Sequence, residues 1–383
     1  MNSISIYIHI PFCIKKCKYC DFLSAPYGKT VQEEYLRALK QEIIEEAEKY
    51  KDYTVKTVYI GGGTPSVADP DGLCGIIKKL FACYRVEKDA EISMEVNPGT
   101  VNPDSLQKYR KAGINRLSIG LQSTHNRELE LLGRIHTYED FLEAYENARK
   151  AGFENINVDL MGALPGQSLT DYEESLKRVI SLKPEHISTY SLIVEENTEF
   201  YKIYGEEKEK IERTGEGFGI LPSEETEREM AALAEEMLTK EGYRHYEISN
   251  YAKEGKACKH NIVYWKRGNY IGFGLGAASL FENTRFTNTK NFTEYLKNPV
   301  GKREVEKLSV KDCMEEFMFL GLRMYEGVKD SDFIDCFGKS MYTCYKDVID
   351  KNKEEGLVTG SETLRLTDKG FCFANYVMAQ FLL

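Results

Sequence analysis

Short apolar runs alternate with longer amphipathic stretches along the first half of the chain. The apolar runs predict six strands, at Ser3–Ile10, Val55–Ile60, Glu91–Val96, Arg116–Gly120, Asn155–Asp159 and His186–Leu192. The stretches between them predict helices, at Thr30–Lys49, Asp71–Tyr84, Pro103–Ala112, Thr137–Ala151 and Ser168–Ser181. This alternation predicts an α/β fold whose parallel strands are joined by right-handed crossovers. Six strands form either an open doubly wound sheet or a partial barrel, and both bind ligands at the C-terminal ends of the strands.

The second half of the chain has a different pattern. Residues 202–240 are highly charged and helical, with a break near Gly215–Gly219, and Gly242–Ser279 is rich in aromatic residues and glycine. From about Ser309 the pattern predicts helices, a hairpin around Gly360 and a further helix, which is typical of a winged-helix-like appendage. We therefore predict three domains, at residues 1–235, 236–300 and 301–383.

Composition narrows the class of protein. The 383 residues carry a net charge of −10, which argues against broad electrostatic binding of nucleic acid. No apolar run is long enough to span a bilayer, and the apolar first residues lack the basic segment of a signal peptide. We expect a cytoplasmic protein, in which the scattered cysteines are small buried side chains rather than a disulfide framework.

Three cysteines cluster directly after the first predicted strand, at Cys13, Cys17 and Cys20. Three thiolates at this spacing can wrap one face of an iron–sulfur cluster and leave one iron open to a small molecule. Lysines between them favour the anionic thiolates. Spacing alone also allows a zinc site completed by a distant His or Cys, or three unligated thiols.

A glycine triplet follows the second predicted strand, in Gly61-Gly-Gly-Thr-Pro65. Glycines at a strand end let the backbone approach a ligand closely. A tight turn without a ligand is an equally ordinary reason for such a triplet.

Taken together, the cysteine and glycine motifs resemble those of the radical S-adenosylmethionine (SAM) superfamily. Tyr7-Ile-His-Ile-Pro-Phe-Cys13 is similar to the opening motif of its oxygen-independent coproporphyrinogen III oxidase branch, which also contains heme chaperones. The resemblance implies a partial (β/α)6 TIM-like barrel and a [4Fe–4S] cluster held by Cys13, Cys17 and Cys20. It further implies SAM bound at the open iron and an electron donor.

The same resemblance implies a set of SAM-binding residues at strand ends. These are Tyr7, Gly62, Gly63, Thr64, Glu95, Gln122, Arg134 and Asp159. Read without the resemblance, a Glu, Gln or Asp at a strand end often only caps the next helix, and an Arg often lies on a solvated face.

Two features distinguish between members of the branch. Its oxidases usually carry a further cysteine after the triplet, whereas here Asp21 and Phe22 follow Cys20. The segment His260-Asn-Ile-Val-Tyr264-Trp265 resembles the His-Asn-x-x-Tyr-Trp motif of the heme chaperones. An imidazole can ligate heme iron, and the two aromatic rings can contact a macrocycle. Cys258 is a competing ligand candidate, and a lone histidine beside aromatics is more often a packing residue.

The resulting hypothesis is a heme chaperone that binds heme and passes it to an acceptor such as a respiratory heme protein. The alternatives are an oxygen-independent coproporphyrinogen III oxidase and another porphyrin-directed radical SAM enzyme. A homodimer is a further expectation, and binding of nucleic acid is not expected.

Overall fold

The structure is a computed structural model that describes residues 2–382, within which twelve strands form one sheet. The strands are β1 Ser3–Ile10, β2 Thr54–Gly62, β3 Arg85–Val96, β4 Arg116–Gln122, β5 Ile156–Gly162, β6 His186–Ser191, β7 Arg244–Glu247, β8 Asn250–Ala252, β9 Tyr270–Phe273, β10 Ala278–Phe281, β11 Thr284–Asn288 and β12 Lys302–Lys307. Their order in the sheet is β12-β11-β10-β9-β1-β2-β3-β4-β5-β6-β8-β7.

Strands β1 to β6 pair in parallel and in chain order, as the sequence predicts. The helices that connect them are α1 Lys29–Glu46, α2 Pro70–Cys83, α3 Pro103–Ala112, α4 Asn126–Leu131, α5 Tyr138–Lys150 and α6 Leu169–Ser181. Because β1 pairs with β9 and not with β6, the sheet stays open. The open partial barrel expected from the resemblance is confirmed.

Local sequence sets the ends of these helices. The side chains of Asn102 and Ser105 each accept a hydrogen bond from the other residue's backbone at the start of α3, and Gly113 ends that helix at φ 109°. The same reciprocal cap, made by Ser168 and Asp171, begins α6. Such caps satisfy backbone groups that would otherwise be unpaired, so the helices begin where the polar signals lie.

Side chains alternate between the two faces of the sheet. Ile6, Ile8 and Ile10 of β1 are fully buried in a core shared with α1 and α2. The residues between them, Tyr7 and His9, therefore lie on the concave face, where the polar side chains of the neighbouring strands collect. This alternation creates a polar interior inside an apolar shell.

The middle of the chain extends both edges of the sheet. It contains α7 Glu199–Thr214, α8 Glu224–Lys240, α9 Lys259–Trp265 and α10 Phe292–Lys297. The β7–β8 hairpin lies antiparallel to β6, whereas β9 lies parallel to β1 and leads into the antiparallel β10–β12. These short strands were not predicted, and the predicted domain limits stay a prediction.

The C-terminal part has its own hydrophobic core. Its elements are α11 Val310–Gly321, β13 Val328–Lys329, α12 Asp330–Phe337, α13 Met341–Cys344, α14 Lys346–Glu354, β14 Val358–Thr359, β15 Thr363–Leu366, α15 Asp368–Cys372 and α16 Ala374–Ala379. The predicted hairpin is present, with Gly360 at φ 109° in its turn. Across residues 2–382 no helix has the length and apolar character needed to cross a membrane.

Candidate functional site

The three clustered cysteines lie in the loop that follows β1. Cys13, Cys17 and Cys20 are partly buried free thiols, and the loop is held by hydrogen bonds such as Cys13 N–H to the Ala25 carbonyl, at 3.1 Å. Burial raises the pKa of the Cys20 thiol, and the adjacent thiols of Cys17 and Cys13 raise it further. No three His, Cys, Asp or Glu side chains among residues 2–382 are arranged to hold a single metal ion. The triplet therefore stays a predicted cluster site.

The glycine triplet packs directly against this cysteine loop. The backbone N–H groups of Gly63 and Thr64 donate to the carbonyls of Ile10 and Phe12, at 2.9 and 2.6 Å. A Cβ added to Gly63 would lie 2.6 Å from the Phe12 carbonyl oxygen, so only glycine allows the two loops to meet this closely. The Thr64 hydroxyl lies 3.7 Å from the Cys13 sulfur.

Arg134 reaches the cysteine loop from the other side. Its Nη1 donates to the Cys17 sulfur at 3.7 Å, and its Nη2 donates to the Asn97 Oδ1 and the Gly120 carbonyl at 2.6 and 2.7 Å. Asn97 in turn donates to the Thr64 hydroxyl at 2.7 Å. A chain of hydrogen bonds thus connects Cys13 to Cys17, and Arg134 does not lie on a solvated face.

Asn97, which contacts both Thr64 and Arg134, was not among the residues predicted from the sequence. It follows Glu95 by two positions in the motif Met94-Glu-Val-Asn-Pro98, so its proximity to an expected ligand residue was the available signal. Tyr19 was missed as well. It lies within the cysteine triplet, and its hydroxyl accepts from Arg134 Nη1 at 3.5 Å.

Glu95 joins the glycine loop to the polar interior. Its two oxygens accept hydrogen bonds from the Tyr59 hydroxyl at 2.9 Å and from the Gly62 N–H at 3.1 Å. Burial raises the pKa of this carboxyl to about 7, and the negative charge of Asp159 acts in the same direction. Tyr7 stacks on Tyr59 with the ring centroids 6.4 Å apart, so Tyr7, Gly62 and Glu95 lie together as expected.

Gln122 and Asp159 lie on the next two strands. Gln122 ends β4 with φ at 74°, a left-handed conformation that is unfavourable outside glycine and often marks a ligand site. Its Oε1 accepts from the Tyr190 hydroxyl at 2.9 Å. Asp159 accepts from Ser118 and Asn157 at 3.2 and 2.7 Å, and burial raises the pKa of its carboxyl. Both side chains therefore face the same polar interior.

The candidate heme motif forms α9, at the opposite end of the barrel from the cysteines. Both oxygens of Glu91 accept backbone N–H groups at the start of α9, from Lys259 and His260 at 3.1 Å each. The His260 ring lies between the Thr57 hydroxyl, 2.8 Å from Nδ1, and the Tyr264 hydroxyl, 2.8 Å from Nε2. The helix closes the N-terminal end of the barrel.

This geometry does not present His260 to heme iron. The side chain is fully buried, both ring nitrogens are hydrogen-bonded, and burial lowers the pKa of the imidazole to about 3. Cys258 is also buried, and burial raises the pKa of its thiol to about 12. The indole of Trp265 lies beneath the Arg323 guanidinium at 4.2 Å, which ties α9 to the C-terminal part.

Tyr59 nevertheless connects this motif to the expected SAM residues. Its hydroxyl donates to Glu95, while its ring stacks on His260 with the centroids 5.3 Å apart. A change at His260 can therefore reach Glu95 through one side chain.

An open parallel half-barrel with three cysteines after its first strand and a glycine loop after its second defines a radical SAM protein. The model of the radical SAM superfamily matches residues 7–179, and that of the HemN C-terminal domain matches residues 308–373.

The similarity to named relatives extends along the chain. The chain is 37% identical to the heme chaperone HemW of Bacillus subtilis, over 99% of both chains. It is 34% identical to the heme chaperone HemW of Escherichia coli, over 100% of this chain and 99% of that one. The chain therefore belongs to the HemW family. Among solved structures, the coproporphyrinogen III oxidase HemN of Escherichia coli superposes with a TM-score of 0.85 at 23% identity, over 100% and 90% of the two chains. That likeness confirms the fold.

Membership of the radical SAM superfamily implies a [4Fe–4S] cluster and SAM. The residues in place suit both groups. Three thiols share one loop beside the Arg134 cation, which favours an anionic cluster. Beyond them, Glu95 and Asp159 offer buried carboxylates to the cationic and hydroxyl groups of a ligand.

Proposed function

We propose that this protein is a heme chaperone, which binds heme and transfers it to an acceptor protein. The observation that carries the proposal is the similarity to the heme chaperones HemW over essentially the whole chain, at 37% identity to the relative from Bacillus subtilis. Similarity of this extent includes the half-barrel, the α9 motif and the C-terminal part together. Similarity to these relatives in the barrel alone would indicate only that the cofactor is the same.

In this proposal Cys13, Cys17 and Cys20 hold the [4Fe–4S] cluster, which supplies an electron and an open iron when bound. The SAM-binding residues are those predicted above: Tyr7, Gly62, Gly63, Thr64, Glu95, Gln122, Arg134 and Asp159. Arg134 and Thr64 contact cysteine sulfurs, and Asn97 positions both of them. Glu95 and Asp159 accept hydrogen bonds from the ligand.

In this proposal the motif residues His260, Tyr264 and Trp265 have a structural role: they shape the N-terminal end of the barrel, called the base below, which α9 closes. His260 holds Thr57 and Tyr264 and supports the ring of Tyr59. A bond from His260 to heme iron would require the imidazole to leave both partners. The same proposal includes an acceptor of the heme, for instance a respiratory heme protein, and an electron donor for the cluster. It also includes a homodimer and a cytoplasmic location.

The test is a heme titration of the anaerobically reconstituted protein, followed at the Soret band. We expect saturable binding of about one heme per chain. A His260→Ala variant is compared with His125→Ala, a histidine that contacts the Asp171 carbonyl beside α4 and lies away from α9.

If His260 shapes the base of the barrel, His260→Ala weakens binding without changing the ligand-field bands of the bound heme. Changed bands in that variant alone would instead identify His260 as the axial ligand. Absence of saturable binding in folded, cluster-loaded protein would overturn the proposal, and coproporphyrinogen III would be the next ligand to test.

A further inference from the structure

Arg116 is a buried cation at the centre of the barrel. It begins β4, and its side chain is 2% exposed. Arg116 lines a partly open cavity of about 180 Å³, together with Ser118, Asn157, Asp159, Ser188 and Asn250. The cavity adjoins the proposed SAM site, because Asp159 is one of the predicted SAM residues and Tyr59, which donates to Glu95, lines the cavity as well.

Within residues 2–382 the Arg116 Nε is buried without a hydrogen-bond partner, and the guanidinium forms no hydrogen bond or ion pair, although Cys258 and Glu91 lie near enough to favour its charge. Arg134, a partly buried arginine of the interior, donates to four protein groups. A guanidinium stays charged at any physiological pH, and its burial without a partner is unfavourable. The fold therefore buries the positive charge of Arg116 without a direct hydrogen bond or ion pair to it.

The carboxylates near Arg116 are all engaged elsewhere. Glu91 accepts the first N–H groups of α9, and Glu95 accepts from Tyr59 and Gly62. Asp159, which lines the same cavity, accepts from Ser118 and Asn157. Each carboxyl thus already accepts hydrogen bonds from neutral donors, whereas the guanidinium has five N–H groups to offer.

The shape of the cavity limits what can bind there. Pockets that hold drug-sized ligands measure about 300–1,000 Å³, so a cavity of about 180 Å³ is too small for a macrocycle. It has room for a carboxylate on a short carbon arm. Apart from Asp159, the remaining walls are neutral and polar, and Ser188 donates to Asn157 and Asn250 at 3.1 and 2.7 Å.

We propose that Arg116 binds a carboxylate group that enters this cavity. The planar guanidinium matches a carboxylate with two parallel hydrogen bonds. The carboxylate has two chemical sources, a propionate arm of a porphyrin or a free small organic acid. The first source rests on the proposed heme function, and the second does not.

The experiment compares heme with heme dimethyl ester, whose propionates carry no charge, on the reconstituted full-length protein. We expect the wild-type chain to bind heme at least tenfold more tightly than the ester. An Arg116→Met variant, which keeps most of the side-chain volume, is expected to bind both at the affinity of the ester. An unchanged preference for heme in Arg116→Met would overturn the propionate assignment.

Two further variants protect the test against misfolding. Arg116→Lys keeps the charge and is expected to retain part of the preference for heme. Asn261→Leu narrows the same cavity from α9 without touching the charge, and is expected to lose the preference as Arg116→Met does. Retention of the full preference in Asn261→Leu would remove the cavity from the site.

The free acid is tested separately, by line broadening of isotopically labelled propionate in the presence of the protein without heme. Broadening in the wild type that is lost in Arg116→Met supports the carboxylate site even if heme does not bind. Absence of broadening, together with equal binding of heme and its ester, overturns the site. Absence of heme binding alone overturns only the proposed chaperone function.

Discussion

The guanidinium of Arg134 donates a hydrogen bond to the sulfur of Cys17 across 3.7 Å. This contact places a permanent cation beside the predicted cluster, at the point where the glycine loop also reaches the cysteines through Thr64. A positive charge at this position offsets the negative charge of a bound iron–sulfur cluster. Arg134 therefore acts on the cluster loop and on the expected SAM site together.

Replacing Arg134 by leucine is expected to weaken SAM binding by about tenfold or more, because a hydrogen bond to a charged group contributes roughly 1.5–3 kcal/mol. Iron retention should fall as well. The measurement is SAM affinity and iron content after anaerobic reconstitution. Arg127→Leu is the matched control, since Arg127 is exposed and pairs with Asp171. Equal losses in both variants would contradict the role of Arg134.

Cys17→Ser is expected to abolish a cluster of about four iron and four sulfide ions per chain. The assay is iron and acid-labile sulfide on anaerobic samples, with Cys372→Ser as control because Cys372 is an exposed thiol of the C-terminal part. Stoichiometric zinc with no sulfide in the wild-type protein would instead favour the mononuclear metal site.

Gly62→Ala is expected to destabilise the protein. The residue has φ at 115°, which costs a non-glycine residue about 1–2 kcal/mol, and its added Cβ would lie 2.5 Å from the His9 ring. Gly75→Ala, within α2, should stabilise by up to about 1 kcal/mol, because its Cβ meets only the end of Lys40. Chemical denaturation of both variants measures the difference, and equal midpoints would refute it.

The buried His260 predicts a specific dependence of stability on pH. Its pKa is lowered to about 3 in the folded protein, mainly by burial, from an ordinary value of 6.5. Between these values the unfolded chain binds the extra proton, so stability falls as the pH falls, by up to about 1.4 kcal/mol per pH unit. Unfolding of His260→Asn is expected to show a shallower acid dependence than that of the wild type.

If the free energy of unfolding of the wild type and of His260→Asn changes with pH by the same slope between pH 6.5 and about 3, His260 titrates alike in the folded and unfolded states. His186→Asn is a useful comparison, since the His186 pKa is also lowered well below its ordinary value by burial. The two variants together separate the contributions of His260 in α9 and of His186 in β6 to the loss of stability at acid pH.

The sequence was sufficient for the regular part of the barrel. Strand β1 and helix α3 begin and end as predicted, since apolar periodicity and capping residues are local signals. Strand β3 begins at Arg85, six residues before the prediction, because Arg85–Ala90 is mostly polar and carries no apolar run. Strand β9 was missed for a similar reason: four residues are too few to show a period.

The residue pattern alone indicated site motifs only where the residues are neighbours in sequence, and the site residues on separate strands were assigned through the family resemblance. The cysteine triplet and glycine triplet are local, whereas the contacts of Asn97 and Tyr59 depend on which strands pair and in which register. The amino-acid sequence around His260 is compatible both with an imidazole that faces a ligand and with one that contacts the hydroxyl of Thr57. Burial, which decides between them, is a property of the folded chain.

The position of β1 between β2 and β9 has a consequence for biosynthesis. Strand β1 leaves the ribosome before both of its partners; β2 follows it early, but β9, in which Tyr270 pairs with Ser5, follows much later. Until that distant segment emerges, an apolar strand keeps one row of backbone groups unpaired, a known route to aggregation. A chain truncated before residue 270 is therefore expected to be insoluble, even though it contains every proposed cluster and SAM ligand.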